Sequence, residues 1–345
     1  MVTTVNGIEK ISPIFVAGPD RSGTSLIYAI LSSHPDISMV RRTNMFRYFY
    51  ERYGNLAEPD NFERCLSTML SYKRLIHLHP DPQRIRDEFR QGEPTYGRLF
   101  ALFHAHNAER VGKTRWGDKS LHTECFADGV FTAFPNARIL HMVRDPRDRY
   151  ASVLKRYATN RGRVGKATGK WLYSVVYGSR NLKKFPDKYM LVRYEDLTLE
   201  PEKMVRKICE FIEVDFLPEM LSMSGAPDHN EKGGNSSFQR FNPGEISTSP
   251  VGRYRKVLSQ QDIAFMQTYS GRYMRELGYE IDTSVVSWYR WPVRQIIEYP
   301  VNLGRMTGWT ASEYMRRKRG EKLPAYRMIK NPSSHTIEVA IDKKL

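Results

Sequence analysis

The stretch Gly18-Pro19-Asp20-Arg21-Ser22-Gly23-Thr24-Ser25 restricts this chain more than any other. It follows Ile14-Phe15-Val16-Ala17, a short run of strand formers, and leads into an apolar stretch from Ser25 to Leu31 with the character of a helix. Strand, glycine-bounded loop and helix in direct succession predict an α/β fold with a mostly parallel central sheet flanked by helices. The loop nearly matches the phosphate-binding pattern GxxxxGK[ST], with Thr24 where the lysine belongs. Loop amides and the helix amino terminus still favour an oxyanion. What is missing is the lysine that reaches the outer phosphates of a nucleoside triphosphate. A kinase-like phosphotransferase is weakened by that departure, Arg21 becomes the cation of the loop, and a purely structural glycine-rich turn stays as the alternative.

Two later runs read as strands, Arg138 to Val143 and Tyr189 to Arg193, each followed by a helical pattern. Asp145-Pro146 supplies a cap and a first-turn proline for a helix running through Tyr157. From Pro201 to Val214, Met204, Val205, Ile208, Cys209, Phe211 and Ile212 recur at helical spacing and predict a core-facing helix. Between about Arg41 and Val111 the chain is aromatic and basic, without strand alternation, which predicts a helical insertion serving as a lid or acceptor wall. Ser222 to Ser249 is rich in Gly, Ser, Asn and Pro and reads as a long loop. Ser259 and Asp262 form a capping box for a helix ending near Gly278. The expected organisation is a P-loop-like domain over residues 1–282, with the insertion at about 41–111, and a basic aromatic C-terminal extension over 283–345.

A formal charge of +16 creates a field that attracts anions, whether a nucleotide, an acidic glycan or a membrane surface, and does not choose among them. The three cysteines are scattered and unpaired in pattern, which argues against a disulfide framework or a zinc site. No apolar run has membrane-spanning length. Met1 to Lys10 lacks the basic and apolar segments of a signal peptide, so a cytoplasmic location is expected.

Arg21-Ser22-Gly23-Thr24-Ser25, followed by His34-Pro35-Asp36, resembles the 5′-phosphosulfate loop of sulfotransferases that use 3′-phosphoadenosine 5′-phosphosulfate (PAPS), a loop whose basic residue is lysine or arginine. Further motifs come in that family's order, over roughly Ile14 to Glu280. Arg144-Asp145-Pro146-Arg147-Asp148, reaching Ser152, resembles the strand and helix that hold the 3′-phosphate through an arginine and a serine. Arg193-Tyr194-Glu195-Asp196-Leu197 with Pro201 resembles the element after the next core strand, and Trp116-Gly117-Asp118-Lys119-Ser120 a short "GDK" segment. Gly252-Arg253-Tyr254-Arg255 resembles a late basic loop closing over the 3′-phosphate. Together these bring the chain closer to the tyrosylprotein, carbohydrate and bacterial members than to the cytosolic small-phenol type.

The resemblance implies PAPS as sulfuryl donor, without a metal, and an acceptor hydroxyl or amine. It assigns Arg21, Ser22, Gly23, Thr24, Ser25, Arg144, Ser152, Tyr194 and Arg253 to the donor, with Tyr194 either near adenine or merely packed. Arg21 and Lys119 are the candidates for stabilising charge on the transferring group, because in-line transfer builds charge that fixed cations offset. An arginine at a strand's carboxyl end also suits phosphate on physical grounds alone. The acceptor base is not placed by the resemblance: tyrosylprotein members carry a glutamate shortly after the His-Pro-Asp element, and Met39 to Asn44 has no carboxylate. Glu51, His104 and His106 are the candidates from the insertion, each with a surface or packing role as its alternative.

Arg41, Arg42 and Arg47 among Phe46, Tyr48, Phe49 and Tyr50 suit a sugar or acidic acceptor, or a helix with one buried aromatic face. The expected partner is a small-molecule, carbohydrate or lipid-linked acceptor, and not a nucleic acid. Basic residues with tryptophans from Trp288 to Lys322 suit either peripheral membrane contact or a docked helix. The competing readings are a P-loop phosphotransferase and a non-enzymatic protein binding nucleic acid or a membrane surface.

Overall fold

The computed structural model describes residues 12–226, 245–283 and 294–329. The described chain begins with β1 (Ile14–Ala17), α1 (Thr24–Ser32) and β2 (Ile37–Arg41). Five helices then form the insertion: α2 (Met45–Tyr48), α3 (Pro59–Leu70), α4 (Lys73–Ile76), α5 (Pro82–Arg90) and α6 (Tyr96–Arg110). Next come β3 (Arg115–Lys119), α7 (Ala127–Ala133), β4 (Arg138–Val143), α8 (Pro146–Arg156) and α9 (Val164–Lys184). β5 (Tyr189–Arg193) is followed by α10 (Tyr194–Leu199), α11 (Pro201–Ile212), α12 (Tyr254–Val257), α13 (Gln260–Glu276) and α14 (Arg294–Arg319). The strands lie in the order β2-β3-β1-β4-β5 and every pairing is parallel.

Alternate residues of the strands feed two cores, one on each face of the sheet. Phe15, Trp116 and Ile139 pack with Phe46, Leu66 and Phe100 of the insertion. Ile14, Val16, Leu140, Met142 and Val192 pack with Leu26 and Ile30 of α1 and with Val205 and Ile208 of α11. A parallel strand covered on both faces reads as an unbroken apolar run, which is why β1 and β4 stand out in sequence. β2 and β3, both in the sheet, bracket the insertion's helices. Arg-Trp-Gly-Asp-Lys has neither an apolar run nor clear alternation, and its place in the sheet rests on contact. A Cβ on Gly117 would stand 2.7 Å from the Ile14 carbonyl oxygen, so only glycine lets β3 lie against β1 there.

Of the long loop expected over 222–249, residues 227–244 lie outside the described residues. The capping box is present, Ser259 Oγ accepting from the Asp262 amide at 3.1 Å. The basic extension docks. α14 lies against α9, with the Gly165 amide donating to Asn302 Oδ1 at 3.1 Å and Trp309 meeting Tyr173 edge to face at 5.7 Å. Trp288 and Trp291 lie outside the described residues.

Phe15 is 2 % exposed and sits edge-on to Phe46 and Trp116 at 5.8 and 5.9 Å. Phe15→Ala is expected to lower the unfolding free energy by about 3–5 kcal/mol, the usual loss for a buried phenylalanine. Urea unfolding of the two proteins measures it, and a loss under about 1 kcal/mol would show that the insertion and sheet do not share this core.

Candidate active site

The β1–α1 loop owes its shape to close approaches. Gly18 has φ of 120°, and a Cβ there would stand 2.5 Å from the Met142 carbonyl oxygen. Gly23, at φ 94°, would place its Cβ 2.5 Å from the Tyr194 ring. Side chains rarely adopt this left-handed region, so both positions require glycine. Arg21 adopts it nonetheless, at φ 69°, and its Nε donates to Ser152 Oγ at 3.0 Å. Backbone strain of this kind collects at functional sites. The loop is tied down at two more points. The Gly18 amide donates to Glu124 Oε2 at 2.9 Å, and Arg149 Nη2 donates to Asp20 Oδ1 at 2.6 Å. Burial pushes the Asp20 carboxyl up, but Arg149, Lys170 and His122 bring it down to about 2.

Lys119, the last residue of β3, lies level with Val16 of β1 and places Nζ 3.3 Å from Ser25 Oγ. The ammonium that the loop sequence lacks is thus delivered to its end from the neighbouring strand. Burial, and then the charges of Arg42 and Arg41, lower the lysine to about 8, with Asp118 opposing. Burial also raises Asp118, to about 6, against hydrogen bonds from Thr43 and Ser120.

The cluster of charges after β4 separates by partner. Arg147 pairs with Asp145 at 2.6 Å, Arg149 holds Asp20, and Asp148 accepts from the Gly252 and Tyr254 amides at 2.6 and 2.8 Å. These charges serve the scaffold, and Asp148 brings the late basic loop to α8. Arg144 is different. It lies over the Tyr194 ring at 4.4 Å and donates Nη2 to the Pro250 carbonyl at 2.7 Å, while its buried Nε has no hydrogen-bond partner among the described residues. The buried Ser22 Oγ is the loop's counterpart, also without a partner there. Arg253, half-buried in the late loop, reaches Ser249 Oγ at 3.5 Å. Thr24 and Ser152 are buried beside these groups, so all the sequence-designated donor residues stand on the sheet's carboxyl edge. Open α/β sheets bind ligands at that edge.

Beside the loop opens a cavity of about 710 Å³. Asp20, Arg42, His122 and Lys170 line it near the sheet, Tyr72 and Arg74 come from the insertion, and Trp309 and Arg316 from α14. Its carboxylates are already engaged: Asp20 by Arg149, Glu313 by Arg316 and Arg317, and Glu321 by Arg47. Arg42, Lys73 and Arg74 have no carboxylate within ion-pair distance among the described residues. Burial and then Arg74, Arg41 and Arg156 lower the Arg42 guanidinium from its ordinary value, a sign of cations crowding one another.

The expected base candidates are not in this cavity. Glu51 is exposed and lines a separate groove with Thr132 and Pro135, which precede β4 and so mark the opposite, amino edge of the sheet. His104 is buried and stacks on Trp116 at 4.4 Å, and burial lowers it to about 3. His106 pairs with Glu88 at 2.9 Å, within the insertion. Both histidines face the core because α6 is covered nearly all round, which spacing alone does not reveal. Conversely, the sequence pattern did not single out His122, Glu124 or Lys170, whereas Arg42 and Arg47 of the basic aromatic run do line the cavity. His122 and Glu124 follow the GDK segment within a few residues, the one signal that pointed to them.

Residues 13–218 match the profile described as "Sulfotransferase family". The chain is 26% identical to a protein-tyrosine sulfotransferase of Drosophila melanogaster over 213 residues, 60% of this chain and 39% of the relative. It is 25% identical to carbohydrate sulfotransferase 1 of Danio rerio over 166 residues, 42% of this chain and 39% of the relative. The match thus spans well under two thirds of either relative. In fold, it is similar to the sulfotransferase domain from the curacin biosynthetic pathway, with a TM-score of 0.54 at 19% identity, covering 79% of this chain and 99% of that one.

Lys119 carries a pH signature. Its proton affinity is lower folded, about 8, than the ordinary 10.5, so the unfolded chain binds more protons across that window and stability rises with pH through it. Below about 8 the cost of the buried ammonium is fully present. An oxyanion in the loop offsets that cost, so when sulfate, which carries no proton at these pH values, binds at pH 8.5, Lys119 should take up as much as about three quarters of a proton. Calorimetry in buffers of different ionisation enthalpy reads the uptake; if it persists in Lys119→Ala, the loop and this lysine are not coupled.

Proposed function

The chain belongs to the sulfotransferase family, and on that footing we propose that it moves a sulfuryl group from PAPS to a hydroxyl or amine of an acidic acceptor. The observation that carries the donor half is a pair of buried donors without a hydrogen-bond partner among the described residues, Ser22 Oγ in the loop and Arg144 Nε at the end of β4. Buried polar groups mostly find partners, and these two orphans, together on the sheet's carboxyl edge, fit a ligand with an anionic group at each end. In this reading the loop from Arg21 to Ser25 holds the 5′-phosphosulfate. Arg144, Ser152 and Arg253 hold the 3′-phosphate, and Tyr194 supports Arg144 from below. Arg21 and Lys119 face the charge that grows on the departing oxygen, where fixed cations act without reorganising. No residue in this scheme calls for a metal.

The acceptor half rests on the cavity. Its volume, about 710 Å³, is that of a small-molecule site, and its carboxylates are all engaged, while Arg42, Lys73 and Arg74 have no carboxylate within ion-pair distance among the described residues. Tyr48, Tyr72 and Trp309 add aromatic surface. This combination suits an acidic carbohydrate, a glycolipid headgroup or another small organic anion better than a neutral phenol.

Adenosine 3′,5′-bisphosphate, the desulfated donor, is expected to bind without metal and far more tightly than AMP, and Arg144→Ala should reduce that preference by about 1.5–3 kcal/mol. Equal calorimetric affinities for the two nucleotides would remove the 3′-phosphate site. Among acceptors, uronic-acid or already sulfated oligosaccharides should outperform their neutral counterparts, and Arg74→Ala should raise KM for the acidic ones by about tenfold. A panel in which neutral acceptors win, with no salt dependence, would overturn the acidic class and leave the donor site standing.

A further inference from the structure

Glu124 is placed as the donor loop alone does not require. It is fully buried, yet both carboxylate oxygens are in use. Oε2 accepts from the Gly18 amide at 2.9 Å, and Oε1 accepts from Ser174 Oγ at 2.6 Å. Ser174 Oγ lies 2.9 Å from His141 Nε2, and His141 Nδ1 lies 2.7 Å from Tyr189 Oη. These contacts are all met if every proton points the same way: Tyr189 donates to His141, His141 to Ser174, and Ser174 to Glu124. Such a polarised chain keeps a buried carboxylate charged. Burial pushes the Glu124 carboxyl up, but His122, His141 and Ser174 together hold it below the usual carboxylate range.

The same Oε1 faces His122 Nδ1 at 3.5 Å, an ion-pair separation. His122 lines the acceptor cavity beside Asp20, Arg42 and Lys170. With Nδ1 turned to the carboxylate, Nε2 is the nitrogen left for the cavity. The other acids nearby are unsuited to the task. Asp20 is held near 2 by Arg149 and its neighbours, and Asp118 is buried with its oxygens bonded to Thr43 and Ser120.

We infer that His122 is the general base for the acceptor, and that Glu124 is a positioning residue that ties this base to the donor loop through Gly18. The inference rests on the sulfotransferase reading. His122 Nε2 takes the acceptor proton as the acceptor oxygen or nitrogen bonds to sulfur. The bond from sulfur to the bridging phosphate oxygen breaks, and that oxygen keeps the electron pair beside Arg21 and Lys119. The imidazolium pairs with Glu124 until its proton leaves through the cavity. Because one carboxylate holds both the loop and the base, donor and acceptor keep a common alignment, which in-line transfer requires. The titratable and charged groups facing His122 are Glu124, Asp20 from the loop, the neutral His141 from β4, Lys170 from α9, and Glu313 and Arg316 from α14.

The test measures turnover from pH 5 to 9 with the best acceptor of the panel, or donor hydrolysis by water, beside bisphosphate affinity, for His122→Gln, Glu124→Gln and Ser174→Ala. His122→Gln should lower kcat by about 100- to 1000-fold and abolish the rising acid limb of the rate profile, with bisphosphate affinity within about threefold. Glu124→Gln should lower the plateau and move that limb to lower pH, because the imidazolium loses its counter-charge. Ser174→Ala should do the same to a smaller extent, and it carries the test if Glu124→Gln does not fold. A His122→Gln protein with wild-type kcat and pH profile would overturn the inference while leaving the donor site intact. Failure of the unmodified protein to bind bisphosphate would instead sink the sulfotransferase reading itself.

Discussion

Gly18 lies against β4 so closely that even a methyl group would meet the Met142 carbonyl at 2.5 Å, and this contact sets the rest of the site. β1 is the central strand, with β3 on one side and β4 on the other. A loop leaving its carboxyl end is therefore flanked at once by Lys119 and by Arg144. Held tight to β4, the loop turns its amides and α1 outward. Gly23 then admits the Tyr194 ring from the end of β5, which in turn underlies Arg144. One close approach thus brings groups from four strand ends into a single crevice.

Charge is distributed in that crevice so that the scaffold's ion pairs lie beside a set of crowded cations. Arg147 and Arg149 each have a carboxylate, and both are nearly fully buried. Burial and then neighbouring guanidinium groups lower Lys119, Arg42 and Arg21 alike. Crowding buried cations costs stability, and an anion bound among them recovers it. Such a fold is more stable with its ligand than without, the ordinary thermodynamic consequence of binding to the folded state alone. The absent lysine of the phosphate loop fits this scheme. A cation carried by β3 reaches the same loop end while leaving the backbone turn unaltered.

The cavity beside the loop is walled by the insertion and by α14. The insertion contributes Tyr72, Lys73 and Arg74, and α14 contributes Trp309, Glu313 and Arg316. α14 reaches the cavity because its contact with α9 is close, the amide of Gly165 bonding to Asn302 and Gly169 lying against Met306. Basic and aromatic residues that as a sequence suited a membrane surface equally well are here shared between a helix-helix contact and a cavity wall. Two further basic residues of that helix also hold it in place, Arg305 donating to the Gly162 carbonyl and Arg317 lying over the Tyr173 and Phe126 rings.

Sequence alone determined what depends on neighbours along the chain. β1, β4 and β5 are legible because each is a short apolar run between turn or capping signals, and Gly18 to Ser25 declares its loop through residue types that only such a turn needs. The helix starts at Asp145 and Ser259 were equally local, resting on a cap bonding to amides two or three residues ahead. Tertiary structure decided whatever depends on residues far apart. β2 and β3 are strands because they lie beside β1, and not because of their own pattern. His104 was a chemically fair base until the fold stacked it on Trp116, and Glu51 was one until the fold sent it to the opposite edge of the sheet. His122 and Glu124 were invisible for the same reason. A histidine and a glutamate two residues apart mean little until the fold buries one against Gly18 and Ser174 and leaves the other at a cavity. Spacing along a chain fixes dihedral preference and face, whereas solvent access, charge pairing and which strand ends meet are set only when the sheet closes.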